Sequence, residues 1–171
     1  MVDYNSSFTG AQVDAAVGKL TGDYEEFDFS GAGVALKDFT LKSGVERFSV
    51  GIYASAITSN GNIELLIGDS VGVKTTGYAG SFRVGVGGVV AYSTGIYLGS
   101  WSAGKTIYGL TTFQRVSTTA WLFDVSTHTV GAGTVDVWGR GWITLASEIT
   151  TLRVNGKAGT FSAGLCSVKQ G

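Results

Sequence analysis

The sequence predicts an all-β protein, an antiparallel β-sandwich of jelly-roll type preceded by one short N-terminal helix. Three observations carry that expectation. The chain has 27 glycines and no proline, and since flexible Pro-rich linkers and collagen both need proline beside glycine, these glycines belong to turns and bulges. Between them lie short segments dense in Val, Ile, Thr, Phe, Tyr and Trp, residues that suit a pleated, half-buried surface, at the spacing of sandwiches and barrels. No helix-length stretch separates one such segment from the next, which disfavours βαβ units and a parallel sheet. Two packed sheets can cover one another, so a jelly roll is expected ahead of a closed barrel. The length of 171 residues suits one core-forming domain, and no internal repeat is evident.

The helix is expected at residues 8–20, FTGAQVDAAVGKL. Thr9 is its N-cap and Gln12 completes a capping box, while Phe8 can staple onto Val13. Val13, Ala16, Val17 and Leu20 share one stripe, and Gly22 ends the element. A helix of about three turns is marginal alone in water, so its stripe must be covered by the β domain or by copies of itself. Residues 1–22 are accordingly expected to form an attachment or oligomerisation arm, and residues 23–171 the sandwich.

Strands are expected at 24–29, 39–41, 45–57, 62–67, 81–86, 89–98, 105–115, 118–125, 134–145, 149–154 and 160–169. Phe48, Val50 and Ile52 alternate with Arg47, Ser49 and Gly51, and Trp121, Phe123 and Val125 repeat the pattern, as one buried face requires. Ser59-Asn60-Gly61-Asn62 reads as a turn, and Asn155-Gly156 as a two-residue hairpin. In Val84-Gly85-Val86-Gly87-Gly88-Val89, no helix and no Lys-Ser/Thr follow the glycines, so this is not a phosphate loop. Gly87-Gly88 is expected to turn between two strands, with Gly85 allowing a bulge or a close backbone approach.

Composition narrows the function. A net charge of -1 with 15% charged residues gives no electrostatic footprint for nucleic acid or an anionic membrane. One cysteine and one histidine cannot build an internal disulfide or a Cys/His metal site. No cofactor is expected. The opening Met1-Val2-Asp3-Tyr4 has no signal-peptide character and no apolar run spans a bilayer, so the expected compartment is cytoplasm.

Candidate chemistry is sparse. His128, in Ser126-Thr127-His128-Thr129, is expected in a polar stretch after a strand, without a marked nucleophile nearby. Cys166 sits in a strand-like setting that reads as a buried, inert thiol. Asp23, Glu25 and Glu26 cluster early, and Asp124 with Asp136 could meet across neighbouring strands as a glycosidase pair would, although solvated strand positions account for all of these acids. Asp69 or Asp3 could bind calcium. No enzyme is expected.

The sharper feature is aromatic. Along 134–145, Val135, Val137, Ile143 and Leu145 form one apolar face, which puts Asp136, Trp138, Arg140 and Trp142 on the other. An arginine between two tryptophans suits a subunit contact or a sugar platform. The competing reading is a central strand buried on both faces.

Two segments carry a resemblance. Phe8, Thr9, Gly10, Val13, Asp14, Val17 and Lys19 resemble a short N-terminal motif of small tailed-bacteriophage appendage and decoration proteins. Ile149, Leu152, Arg153, Val154, Gly159, Phe161, Gly164 and Leu165 are similar to the closing hairpin of the same virion proteins. Together the matches cover about a fifth of the chain. At Lys169-Gln170 the pattern would have a small or aromatic residue, a departure that argues against a tightly buried C-terminus.

The resemblance implies a non-enzymatic virion structural protein assembled in the host bacterial cytoplasm. Its arm, through Phe8, Thr9, Val13, Ala16, Val17 and Leu20, would attach to other virion proteins of capsid or tail, or trimerise. Its jelly roll would be displayed outward as a short tail fibre for host attachment, contacting a surface glycan or a neighbouring subunit through Trp138, Arg140, Trp142 and Trp101. A domain displayed as a fibre would carry exposed aromatics at a distal tip, for which Trp101, Tyr97 or Tyr92 in loops are the candidates. The alternatives are a capsid decoration (cement) protein clamping major capsid subunits, and a carbohydrate-binding or carbohydrate-active sandwich. A homotrimer is expected, because the narrow stripe and the outward tryptophans both gain by burial.

Overall fold

The computed structural model describes residues 23–101, 105–131, 134–157 and 159–171. The helix expected at residues 8–20 lies outside them. Thirteen strands form the described part: β1 (Asp23–Asp28), β2 (Leu36–Thr40), β3 (Arg47–Ile57), β4 (Gly61–Asp69), β5 (Gly72–Val73), β6 (Ala79–Val84), β7 (Val89–Ala91), β8 (Ile96–Trp101), β9 (Thr106–Arg115), β10 (Ala120–Val130), β11 (Val135–Thr144), β12 (Ile149–Gly156) and β13 (Phe161–Gln170). One sheet has eight strands in the order β1-β13-β3-β9-β10-β11-β6-β7. The other runs β2-β12-β4-β5, with β8 also on β4. Every pairing is antiparallel.

A single apolar core fills the space between the sheets. Alternation along β10 shows why: Trp121, Phe123, Val125, Thr127 and Thr129 are buried, and every residue between them is exposed. From the eight-stranded sheet, Phe48 stacks on Phe113 with ring centroids 4.3 Å apart and lies against Trp121. Phe29 and Phe161 stack at 4.0 Å. The five-stranded sheet contributes Phe39, Leu65, Ile67, Leu152 and Val154, all essentially inaccessible. Such side chains stabilise the fold by about 1.5–3 kcal/mol each.

The structure departs from the sequence expectation at four places, each with a physical cause. Residues 89–98 are two strands in different sheets, because the chain crosses over β4 between them and Gly95 packs where a Cβ would stand 2.7 Å from Leu66 Cδ2. His128 lies within β10 and not in a loop after it. Thr127 and Thr129 hold the inward positions there, and Thr127 Oγ1 donates to the Leu98 carbonyl, so polar residues continue the alternation. Asn155-Gly156 is not a hairpin: it ends β12, where Asn155 Nδ2 donates to Glu64 Oε1 at 3.0 Å and Gly156 N to Ala35 O at 2.8 Å. The closing segment therefore places β12 in one sheet and β13 in the other. Finally, Gln170 is buried. Its amide accepts from Lys42 N at 2.8 Å and donates to Thr40 O at 3.2 Å, which fastens the C-terminal strand to the opposite sheet.

The β6–β7 hairpin over Gly87-Gly88 forms as expected, with Gly85 at φ +54° and its N–H donating to Asp136 O at 2.7 Å. The two-residue β5 has no counterpart in the sequence reading, being too short for a periodic signal. Among the described residues, no helix is long and apolar enough to cross a membrane.

Candidate binding face of the eight-stranded sheet

The outer face of the eight-stranded sheet carries a group of exposed large apolar side chains: Tyr53, Leu110, Leu122, Trp138 and Trp142 all stand on it. Trp138 is 49% and Trp142 53% exposed. The underside explains why both rings point outward. In Trp138-Gly139-Arg140-Gly141-Trp142 the glycines take the inward positions, and a Cβ on Gly139 would lie 1.9 Å from the Tyr92 hydroxyl. One on Gly141 would lie 2.4 Å from the Phe123 ring and 2.2 Å from the Ala79 carbonyl oxygen. Core rings from β10 and the β7–β8 connection thus occupy the room that side chains on β11 would need, and the strand's bulk is displayed on the other side.

Registers arrange that face in rows across the strands. The middle row reads Ser81, Arg140, Asp124, Thr112, Ser49 and Lys169, on β6, β11, β10, β9, β3 and β13. Arg140 Nε pairs with Asp124 Oδ1 at 2.6 Å, and both side chains are largely exposed. One neighbouring row holds Trp138, Ser126 and Leu110, and the row on the opposite flank holds Trp142, Leu122 and Gln114. An open, shallow groove of about 690 Å³ lies over the first two rows, lined by Trp138, Arg140, Asp124, Leu110 and the Ser81 and Thr112 positions.

The two acids beside the tryptophans, Asp124 and Asp136, are each matched to a base. His128 Nδ1 and Asp136 Oδ1 form a close pair opposite Tyr108. Asp124 and Asp136 do not meet, since their registers lie four residues apart, about 13 Å along the strands. That exceeds the roughly 9.5 Å limit for two carboxyls acting on one glycosidic bond. Beneath the groove, burial first and then the Asp124 carboxylate push the Tyr92 phenol above its ordinary range.

The other singled-out residues lie elsewhere. Trp101 ends β8 opposite Gly61 in the five-stranded sheet, away from Trp138 and Trp142. Tyr92 is buried, and Tyr97 stacks on Phe82 at 4.6 Å, so neither forms a distal tip. Cys166 is buried, which raises its thiol pKa, as its strand setting implied. Asp69 is buried and structural: its carboxylate accepts from Val71 N at 3.0 Å, Ala146 N at 2.8 Å and Ser147 N at 3.3 Å, with Lys74 Nζ 3.4 Å away. Lys37 and Lys42 pair with Glu25 and Asp23 on the β1 edge. Among the described residues, no three His, Cys, Asp or Glu side chains gather to hold a metal. Phe8, Thr9, Val13, Ala16, Val17 and Leu20 lie outside the described residues.

Sequence reasoning found β11's outward residues but missed their partners Ser81, Leu110, Thr112, Leu122 and Ser126. The alternation in β9 and β10 assigns the last four to the outward face, but not to particular rows. Only the pairing order puts β6 beside β11. No protein-family model, curated protein or solved structure matches the chain.

Proposed function

We propose that this protein is a non-enzymatic bacteriophage virion protein of the surface-appendage type, acting as a homotrimer of outwardly displayed, jelly-roll-like sandwiches. The observation that carries the reading is the outward pair Trp138 and Trp142 on an open sheet face where the neighbouring acids Asp124 and Asp136 are each matched to a base. Such a face recognises a partner and offers no free acid pair for hydrolysis. The arm, residues 1–22, supplies the trimer and the attachment to other virion proteins, in keeping with its stripe of Val13, Ala16, Val17 and Leu20. The repeated change of sheet from β1 to β4 and again from β11 to β13 supports a jelly-roll-like path, into which the meander β9-β10-β11 is inserted. Assembly in the bacterial cytoplasm fits a chain whose one cysteine is buried.

Light scattering on the full-length protein tests this. A mass of three chains that falls to one when residues 1–22 are removed is the expected result. A full-length monomer overturns the trimer and moves the arm to a capsid partner, as a cement protein would use it.

A further inference from the structure

We propose that the outer face of the eight-stranded sheet is a saccharide-binding platform for a short, uncharged oligosaccharide lying across the strands over the middle row. The inference rests on the reading that the arm makes the oligomer and leaves this face open. Protein–protein interfaces place apolar residues at the centre and polar ones at the rim. Here the order is inverted. Ser81, Arg140, Asp124, Thr112, Ser49 and Lys169 run through the middle, and the tryptophans flank them, Trp138 on one side and Trp142 on the other.

A second protein surface packed on this row would have to desolvate an exposed ion pair and several hydroxyls together. A sugar meets the same row with hydroxyls of its own. Its C–H faces suit the indole rings, and its hydroxyls can donate to the free lone pairs of Asp124 and accept from the remaining N–H groups of Arg140. The dimensions agree. Ser81 to Thr112 spans three strand spacings, about 14 Å, and Trp138 to Trp142 about 13 Å along β11, room for more than one ring. At the centre of the row the Arg140 guanidinium is matched by the Asp124 carboxylate at 2.6 Å, while the cations Lys169, at the far end of the row, and Arg83, which donates to the Gly87 carbonyl, stand to either side of that neutral pair.

The test uses the full-length protein on an immobilised panel of oligosaccharides of two to six rings, neutral and sialylated or sulfated, in parallel with Trp138→Ala, Trp142→Ala and Asp124→Asn. Retention of neutral members, weakened about tenfold or more by Trp138→Ala and by Asp124→Asn, is the expected result. Mass and melting temperature should not change, since these side chains are exposed. Absence of any retention, retention of the anionic members alone, or retention indifferent to all three variants overturns the proposal. So does a fall in mass on Trp138→Ala or Trp142→Ala, which would make the face a subunit contact. The arm-deletion mass reports separately on the trimer reading, so each idea can fail without the other.

Discussion

Gly141→Ala is the most informative single perturbation, because it asks whether the glycines of Trp138-Gly139-Arg140-Gly141-Trp142 force the tryptophans outward. The added methyl would stand 2.2 Å from the Ala79 carbonyl oxygen and 2.4 Å from Phe123 Cζ. Neither neighbour can yield cheaply. Ala79 is backbone of β6, held in the ladder by the facing pair Gly80 and Gly141, and Phe123 is buried between Tyr92 and Phe113. Overpacking a tight core costs about 1–3 kcal/mol, and two such contacts put this variant near 3 kcal/mol. For a domain of this size, each kcal/mol lowers the melting temperature by roughly 2–4 °C, so a fall of about 6–12 °C is expected. Gly88→Ala is the control, since a Cβ there meets nothing within 4 Å, and its effect should stay within about 0.5 kcal/mol. Melting followed by circular dichroism on both variants decides the matter. If Gly141→Ala melts with Gly88→Ala, β6 does not approach β11 as closely as described, and the argument for the outward tryptophans fails.

Asp69 gives a pH prediction. Burial would raise its carboxyl, but the N–H groups of Ala146, Val71 and Ser147 and the Lys74 ammonium outweigh this and hold it below its ordinary 3.8. Its contribution is therefore complete above about pH 4 and is lost as pH falls through the depressed folded value. Asp69→Asn should cost about 3 kcal/mol at neutral pH and flatten the acid limb of the stability curve, and an unchanged acid limb would refute the assignment. Tyr78 accepts from Ile67 N at 2.8 Å and donates to Lys74 O at 3.2 Å. Tyr78→Phe strands that buried N–H and should cost about 1–3 kcal/mol by denaturant titration. Cys166 should resist thiol reagents in the native protein and react promptly in denaturant, since it is buried and its thiol is pushed up by that burial. Prompt native-state labelling would place it at the surface.

The saccharide platform and the appendage reading meet at one structural point. On that face five strands, β3, β9, β10, β11 and β6, lie side by side, and among the described residues Trp138, Trp142, Leu110 and Leu122 stay exposed on it. The five-stranded sheet differs. Its β4 is buried on both faces, and Lys157, bonded to Thr94 Oγ1 at 3.0 Å and 3.6 Å from Glu64, clasps the β7–β8 connection over it. Among the described residues, β4 is covered on both faces by its own chain, whereas most outward side chains of β9, β10 and β11 are exposed.

By itself the sequence determined the all-β class, most strand positions and the outward set Asp136, Trp138, Arg140 and Trp142. All of these follow from side-chain period, which is local: alternate residues face opposite sides of a strand whatever its neighbours are. It also marked Cys166 as buried and Gly87-Gly88 as a turn, again from the few residues around them. Which strands become neighbours was decided by tertiary structure alone. Asn155-Gly156 has the composition of a hairpin, yet Glu64 and Ala35 from distant segments claim its polar groups and carry β12 into the other sheet. Asp124 and Asp136 have the composition of an acid pair, yet the β10–β11 register gives one to Arg140 and the other to His128. The polar row, with its tryptophan on either flank, exists only because the consecutive strands β9, β10 and β11 align at one height with β3, β6 and β13 from distant parts of the sequence. Register between strands is set by the fit of the whole core, and no single segment carries it.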